Sequence, residues 1–270
     1  MSFLPSAHSE LRKTLADSLL VRHISTPMEL RRSDQQASEV MAYLQQRNFD
    51  VMGLLEVDRI SRYIARKFMT DKGVCGDYAR PIEPTEIVSS TTALIEFLPL
   101  MKDRHYVFVL ESTRLDSIVT HADLQKPPVR MLLFSLISLL DMFLLILVRK
   151  HYPGESFCAE LKPKRVEKGQ ELLNLRRQRN EEIDLADCLQ FCDKRALILK
   201  AQVHKDLGFE SEEVADRFLK DAEKLRDRLA HSQDLVLGTS WTEVIDLAVK
   251  IDEFLRENEG KVVAWAAESR

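Results

Sequence analysis

The chain has 270 residues, of which 45% are hydrophobic and 30% charged, and its formal net charge at pH 7 is -4. This composition is typical of a soluble globular protein and excludes collagen-like, mucin-like and disordered classes, while the length favours two domains over one. Because the chain is mildly acidic, a nucleic acid would need a local basic surface to bind.

The N-terminal stretch MSFLPSAHSELRKTL lacks the basic cluster and long apolar run of a secretory signal, so we expect a cytoplasmic protein. The four cysteines, Cys75, Cys158, Cys188 and Cys192, lack the spacing of a zinc site and the density of a disulfide scaffold. Cys188 and Cys192 are four apart on a predicted helix, but a metal would need two more ligands. We therefore expect free thiols and no metal.

Two similar segments follow each other in the first half of the chain. Sliding this half along itself aligns DVMGLLEVDRISRYIARKF, from Asp50, with HYVFVLESTRLDSIVTHAD, from His105. The matched pairs are Glu56 with Glu111, Arg59 with Arg114, Ile60 with Leu115, and Ile64 with Val119. In each copy a predicted helix, ASEVMAYLQQR or TALIEFLPLMK, precedes a strand, a tight turn and a second strand. The shared order favours one unit that occurs twice over a chance similarity of two hairpins.

The second copy ends in IVTHAD: an apolar pair, a threonine, two residues and an aspartate. With this motif the repeat, from about Leu19 to Lys126, resembles a tandem pair of CBS domains. The resemblance implies that Thr120 and Asp123 bind the phosphate and ribose of an adenine nucleotide (AMP, ADP or ATP), which would be a regulatory ligand. A carboxylate accepts hydrogen bonds from two vicinal hydroxyls, and a neighbouring hydroxyl donates to a phosphate oxygen.

The first copy departs from this motif, because its equivalent positions are Ala65 and Phe68. Neither side chain can bind a ribose or a phosphate in this way, so we expect at most one competent nucleotide site per chain. A structural interpretation of Thr120 and Asp123 stays open: the two residues could cap the helix that starts near PPVRM.

The segment MLLFSLISLLDMFLLILV, Met131 to Val148, is close to the minimum length for a membrane span. Asp141 lies near its centre, where a charge costs on the order of 3 kcal/mol in a bilayer. We therefore expect a buried helix between domains or at a dimer interface, and no membrane contact.

The remaining chain is predicted to be helical, with a turn at HYPGES. The expected helices are Lys164 to Glu182, Asp184 to His204, Ser211 to Ala230 and Ser240 to Asn258. Ser211 precedes two glutamates, and SWTE matches a capping box. Together with the apolar helix these elements predict a bundle of four or five helices.

The third of these helices ends in LRDRLAHS. Helical domains that end a helix with arginine, a polar residue and a histidine a few positions later resemble the HEPN superfamily. The order of CBS pair, apolar helix and bundle with LAHSQD resembles bacterial CBS-HEPN fusions over nearly the full chain, although Asp227 stands where asparagine is frequent. Arg226 and His231 would be about 140° apart on a regular helix, so the site needs the helix to end there or a second chain to complete it.

The HEPN resemblance implies a metal-independent endoribonuclease that acts as a homodimer, with both motifs in one composite cleft. In that cleft His231 would transfer protons, Arg226 would stabilise the phosphate, and Asp227 would orient the imidazole. The implied role is in bacterial stress or phage defence, as a toxin, and an antitoxin-like protein is a further expected partner.

The segment KPKRVEKGQELLNLRRQR, Lys162 to Arg179, is a candidate RNA-binding surface. It has seven basic and two acidic residues, a local net charge of +5. The alternative is a solvated helix whose charges are neutralised by EEIDLAD, which follows directly. Since no aromatic residues interleave with the charges, base stacking is not indicated.

The sequence thus predicts an α+β protein: a tandem CBS (Bateman-type) module over 1–128, an apolar connecting helix over 129–152, and an all-α HEPN helical bundle over 153–270. The leading hypothesis is a nucleotide-regulated endoribonuclease. The first alternative is a non-catalytic nucleotide sensor whose bundle dimerises or binds a partner protein. A membrane-associated regulator is the third.

Overall fold

The computed structural model describes residues 7–56 and 59–268 and is of mixed α+β class. It divides into two compact units. One unit is Leu15–Arg130, which we call the sheet unit. The other unit combines the chain from Met131 onwards with the described residues before Leu15, and we call it the helical unit.

The sheet unit contains two four-stranded sheets, with strand orders β2-β3-β4-β5 and β1-β8-β7-β6. Each sheet has one parallel pair, β2 with β3 or β6 with β7, next to an antiparallel hairpin. The strands are β1 (Thr26–Pro27), β2 (Leu30–Arg32), β3 (Val51–Glu56), β4 (Arg59–Ala65), β5 (Arg80–Pro81), β6 (Ile87–Ser89), β7 (Tyr106–Glu111) and β8 (Arg114–Thr120).

The hairpins β3–β4 and β7–β8 have the same register when the two copies are aligned as in the sequence. The end pairs are Val51 with Ala65 and Glu56 with Arg59 in the first hairpin, and Tyr106 with Thr120 and Glu111 with Arg114 in the second. The irregularity in the ladder also repeats, between Leu54 and Leu55 and between Val109 and Leu110. The predicted internal repeat is therefore confirmed. The two hairpins also share the position of this irregularity, which the sequence had not predicted.

The helices of the two copies differ. In the first copy α2 (Ala37–Arg47) spans the whole predicted segment. In the second, α3 (Leu94–Phe97) ends after one turn and continues as a 3-10 turn over Leu98–Met101. Pro99 lies in this turn and has no N–H to donate, which explains the early end of the α-helix.

Alternate residues of the β3–β4 hairpin face different cores, as the pleat requires. Met52, Leu54 and Ile64 pack with α2, whereas Val51, Tyr63 and Ala65 pack with residues of the second sheet. The second set includes Phe108 and Ile118, both of which are buried. The two sheets therefore share one apolar layer, and α2 covers the far face of the first.

The helical unit contains most of α4 and four later helices. The bounds are α4 (Pro127–His151), α5 (Pro163–Arg177), α6 (Phe191–Lys200), α7 (Glu212–Ala230) and α8 (Trp241–Glu268). The predicted end of α7 is confirmed, but three other predictions were wrong: α5 ends earlier, α6 is shorter, and α8 continues past Asn258.

The start of α6 shows why the prediction of one long helix was wrong. Leu189 and Gln190 have extended backbone, and the Asp193 carboxylate accepts from the Gln190 N–H at 3.1 Å, as a cap does. Arg165 donates to both oxygens of Asp193, at 2.7 and 2.8 Å, and so holds the cap in place. Cys188 therefore lies outside the helix that contains Cys192.

The charge within the apolar helix α4 is neutralised inside the helical unit. Lys194 of α6, which is 4% exposed, donates from Nζ to Asp141 Oδ2 at 2.8 Å. Phe143 packs edge-on against Phe254 of α8, with ring centroids 5.1 Å apart. By length and composition α4 could span a membrane, and 56% of its apolar window is buried. These contacts are those of a core helix of the helical unit.

The first helix, α1 (Ala7–Ser18), begins in the helical unit. His8 Nε2 lies 2.9 Å from Asp252 Oδ1, and Ser9 Oγ donates to Glu259 at 2.5 Å. Arg12 Nε donates to the other oxygen of Asp252 at 3.3 Å. These bonds to α8 explain why the residues before Leu15 group with the helices, whereas the sequence had assigned them to the module over 1–128.

The Asp141–Lys194 pair predicts a measurable dependence of stability on both partners. Asp141→Ala should lower the free energy of unfolding by about 3 kcal/mol, because it leaves a buried ammonium without a counter-charge. The double variant Asp141→Leu with Lys194→Met should recover most of that loss. Urea unfolding of the full chain measures both values. Equal losses in the single and double variants would contradict this account.

Candidate functional sites

The predicted nucleotide residues Thr120 and Asp123 are in direct contact at the end of β8. Asp123, 8% exposed, lies in a 3-10 turn over His121–Gln125. Its Oδ2 accepts from the Thr120 N–H at 2.7 Å and from Thr120 Oγ1 at 2.9 Å. These bonds form a capping box of the 3-10 turn, whereas the alternative had the two residues cap the helix that starts near PPVRM.

Two further residues complete this cluster, which we call the Asp123 cluster. Thr26 of β1 donates from Oγ1 to Asp123 Oδ1 at 2.9 Å, and Lys126 Nζ lies 2.7 Å from the same oxygen. Lys126 also donates to the Ile24 carbonyl at 2.6 Å. The sequence analysis missed both residues. The i+3 spacing from Asp123 could have indicated Lys126, whereas Thr26 is nearby only because β1 pairs with β8.

The hydrogen bonds of the Asp123 cluster define what a ligand would have to change. The Thr120 hydroxyl already donates its only proton to Asp123, so it can accept from a ligand but cannot donate to a phosphate without turning. The Lys126 ammonium is partly exposed and is the cation nearest to the carboxylate. Chemically, the cluster offers two hydroxyls, one carboxylate and one ammonium.

The equivalent positions of the first copy have different surroundings. Ala65 is buried at the end of β4, and Phe68 is 46% exposed. The guanidinium of Arg80 lies 4.3 Å from the centroid of the Phe68 ring, and Lys67 Nζ lies 4.8 Å from it. This is a cation–π cluster without a carboxylate, so it cannot hold ribose hydroxyls as Asp123 could.

The sheet unit also has an open depression of about 390 Å³ at the other end of the β7–β8 hairpin. It is lined by Arg22, Ser89, Ser90, Thr91, Leu110, Glu111 and Ser112. Thr120 pairs with Tyr106 at the start of β7, whereas Glu111 ends that strand, so about 17 Å separates this depression from the Asp123 cluster. Sequence reasoning did not identify it.

The second candidate site is the C-terminal end of α7. The helix ends at Ala230, and His231 is the C-cap with φ -99° and ψ 12°. Ser232 follows with φ 52°, and the Gln233 N–H donates to the Arg228 carbonyl at 2.9 Å. This is a Schellman motif with serine in the left-handed position where glycine is usual. The helix therefore ends where the predicted site required it to end.

The structure brings Arg226 and Asp227 together but not Asp227 and His231. Arg226 NH1 donates to Asp227 Oδ1 at 3.0 Å, and both side chains are exposed. His231 is exposed, and its imidazole has no hydrogen-bond partner among the described residues. The expected orienting contact from Asp227 is not formed in this chain. Arg226 and His231 are both exposed at the C-terminal end of α7, five residues apart.

The basic segment is partly neutralised. Arg165 is bonded to Asp193, and Arg176 lies 2.7 Å from Glu181 of the following EEIDLAD stretch. Lys162, Lys164, Lys168 and Arg179 are exposed and form no ion pair among the described residues. The observed pairs support the alternative in part, yet four cations of the candidate RNA-binding surface stay available.

The cysteines are free, as predicted. Burial raises the pKa of all four thiols, so they are protonated at neutral pH. Among residues 7–56 and 59–268, no group of three or more His, Cys, Asp or Glu side chains could hold a metal ion.

Solved structures of CBS-domain proteins are similar to part of this chain. The CBS domains of a transcriptional regulator from Streptococcus pneumoniae match with 15% identity over 40% of this chain and 97% of that chain, with a TM-score of 0.34. The CBS domain of a bacterial CNNM/CorC family Mg2+ transporter, solved in complex with ATP, matches with 15% identity over 44% and 94%, with a TM-score of 0.33. A CBS domain containing membrane protein from Sphaerobacter thermophilus matches with 12% identity over 44% and 94%, with a TM-score of 0.33. No protein-family model and no curated protein matches the chain.

The left-handed backbone at Ser232 predicts a stabilising substitution. Ser232→Gly should raise the free energy of unfolding by about 1 kcal/mol, because glycine adopts positive φ without a steric cost. Gly154→Ala is the matched control, because Gly154 has φ +62° and no atom lies within 4 Å of an added Cβ. This substitution should lower the free energy of unfolding by about the same amount. Urea unfolding measures both changes in free energy. A Ser232→Gly variant less stable than wild type would contradict the inferred backbone strain at Ser232.

Proposed function

We propose that the sheet unit is a tandem CBS module that binds an adenine nucleotide as a regulatory ligand at the Asp123 cluster. The single observation that supports this proposal most strongly is the repeated β-α-β-β unit, whose two hairpins share one register and one bulge. Its second copy ends in the motif that the CBS resemblance assigns to ribose and phosphate. The ATP complex of one similar CBS domain is consistent with this ligand class.

The proposed contacts follow from the chemistry of the cluster. Asp123 would accept from the vicinal ribose hydroxyls, and Lys126 would turn from Asp123 towards a phosphate. The same movement would release the Lys126 contacts with the Ile24 carbonyl and with Thr26 Oγ1. Ligand binding would thus be coupled to the start of α4, which begins at Pro127 next to Lys126.

The nucleotide proposal predicts that binding depends on the charge of Asp123. Asp123→Asn should weaken binding of the preferred nucleotide (AMP, ADP or ATP) at least about tenfold, because it removes a charged acceptor. Asp116→Asn, which changes an exposed carboxylate on β8, should leave binding unchanged. Isothermal titration of the full chain, after its thermal unfolding has been checked, measures both. Equal binding by wild type and Asp123→Asn would overturn the assignment.

As a second candidate function, we propose that the helical unit is a metal-independent endoribonuclease controlled by the sheet unit. The observation that favours this activity is the end of α7, where His231 leaves the helix, is exposed and has its ring nitrogens available. An imidazole titrates near neutrality and can transfer protons, and Arg226 can stabilise charge on a phosphate. Cleavage would serve stress or phage defence, with RNA held along the exposed cations Lys162, Lys164, Lys168 and Arg179.

A non-catalytic sensor is the competing function. In it, the Arg226–Asp227 pair is only the charged end of a helix, and the helical unit dimerises or binds a partner protein. The sheet unit would have the same ligand in both cases. Nuclease activity therefore separates these functions, whereas nucleotide binding does not.

The ribonuclease proposal predicts loss of cleavage on removal of either side chain. His231→Ala or Arg226→Ala should reduce cleavage of single-stranded RNA at least about 100-fold, with activity retained in EDTA. Two controls should cleave like wild type: His105→Ala and Arg256→Ala, which change exposed residues elsewhere. Gel analysis of cleavage products provides the measurement. Cleavage by His231→Ala equal to that by wild type would overturn the assigned site, and a wild type that does not cleave RNA would leave the non-catalytic sensor.

A further inference from the structure

The depression beside the β7–β8 turn, which includes Ser90 and Glu111, has a counterpart in the first copy of the repeat. Glu111 is the last residue of β7, as Glu56 is the last residue of β3. Ser90 directly follows β6, as Ser33 directly follows β2. Because β2–β3 and β6–β7 are both parallel and have the same register, a serine and a glutamate lie at the same end of both sheets.

In the first copy, a guanidinium group fills this position. Arg62 of β4 donates from Nε to Glu56 Oε2 at 3.0 Å, and from a terminal nitrogen to Oε1. Ser33 Oγ donates to the same Oε1 at 3.2 Å. The glutamate therefore forms a two-bond ion pair with a guanidinium, and a serine hydroxyl completes its hydrogen bonds.

In the second copy, a serine stands where the first copy has this arginine. Arg62 pairs with Leu54 across the β3–β4 hairpin, and the equivalent pair of the β7–β8 hairpin is Ser117 with Val109. The Ser117 hydroxyl is too short to reproduce the ion pair, and it donates to Asp116 at 3.2 Å. The second copy therefore lacks the cation of the first.

The serine and the glutamate of the second copy are left without these bonds. Glu111 is exposed and forms no ion pair among the described residues. Ser90 is only 4% exposed and lines the depression, yet its hydroxyl has no hydrogen-bond partner among the same residues. Buried hydroxyls usually have a partner, so this one indicates an acceptor or donor that the chain itself does not supply.

The depression also contains a cation that the first copy lacks. The N–H groups of Arg22 and Gly76 each donate to the carbonyl of the serine that follows β6 or β2, at 2.9 and 2.8 Å, so the two residues are equivalent. Arg22 is exposed and forms no ion pair within residues 7–56 and 59–268. The hydroxyls of Ser89 and Thr91, which are 2.9 Å apart, line the depression with it. One carboxylate and one guanidinium are therefore both unpaired there.

We propose that this depression binds a small zwitterion that carries a guanidinium group, such as free L-arginine. The ligand guanidinium would occupy, on Glu111 and Ser90, the position that an arginine side chain fills in the first copy. The ligand carboxylate would accept hydrogen bonds from Arg22 and from the hydroxyl of Ser89 or Thr91. The volume of about 390 Å³ is within the range of small-molecule sites.

Both charges of the ligand are needed to satisfy the site. A simple anion on Arg22 would lie near the Glu111 carboxylate and leave it unpaired, whereas a simple cation on Glu111 would leave Arg22 unpaired. A zwitterion neutralises both. The site lies at the opposite end of the β7–β8 hairpin from the Asp123 cluster, so it is distinct from the proposed nucleotide site.

Isothermal titration of L-arginine into the full chain, without nucleotide, tests the proposal. Wild type should bind one L-arginine per chain. Glu111→Gln and Arg22→Gln should each weaken binding at least about tenfold, because each removes one charged partner of the ligand. Glu39→Gln, which changes an exposed carboxylate on α2, is the matched control and should bind like wild type.

Ser117→Arg is the sharper variant, because it should fill the site from within the chain. The neighbour on the outer strand is a proline in both copies, Pro81 beside Arg62 and Pro27 beside Ser117. An arginine at this position should therefore pair with Glu111 and weaken L-arginine binding at least about tenfold. Ser117→Ala removes the hydroxyl without adding a cation, and it should bind like wild type.

Agmatine separates the two ends of the ligand, because it keeps the guanidinium and lacks the carboxylate. It should bind at least about tenfold more weakly than L-arginine, and equal binding of the two would overturn the zwitterionic class. Thermal unfolding checks that each variant is folded. A wild type without saturable L-arginine binding, or a folded Ser117→Arg that binds as wild type does, would overturn the site. Because no nucleotide is present, neither result bears on the proposed nucleotide site.

Discussion

The carboxylate of Asp123 joins three parts of the sheet unit. It ends β8 by capping the turn after Thr120, it holds β1 through Thr26, and it pairs with Lys126 immediately before α4. A buried carboxylate is tolerated only where its hydrogen bonds and counter-charge are complete, and here they are. Any ligand that takes this carboxylate must therefore loosen one of these bonds. That competition would turn an ordinary structural cap into a regulatory site.

The sequence predicted the sheet unit better than the helical unit, for a physical reason. Strand pairing follows an alternating sequence pattern, and the repeat shows this pattern in two copies. The alignment of Asp50 with His105 therefore matches the strand register of one hairpin to that of the other. Helix ends depend on single capping residues. Asp193 starts α6 late because Arg165 holds it from another helix, and no local pattern shows this contact. Thr26 was missed for the same reason, because only strand pairing brings it to Asp123.

The helical unit places its charges where they have different consequences. The pair of Asp141 and Lys194 joins a partly exposed carboxylate to a buried ammonium, and it neutralises the acid of the apolar helix α4. The charges of α7 and α8 lie at the rims of an open groove. The Arg226–Asp227 pair lies at an exposed helix end next to His231. The first pair contributes to stability, and Arg226 of the third belongs to the proposed nuclease site.

The central claim is that an adenine nucleotide binds at Asp123 in place of part of its cap. Amide hydrogen exchange, measured on the full chain with and without the bound nucleotide, tests it most directly. The account predicts altered exchange at the Thr120 N–H, which donates to the Asp123 carboxylate, and in the segments around Thr26 and Lys126, which contact the same carboxylate. Protection confined to the depression around Arg22 and Ser89–Thr91, with the Asp123 cluster unchanged, would contradict it.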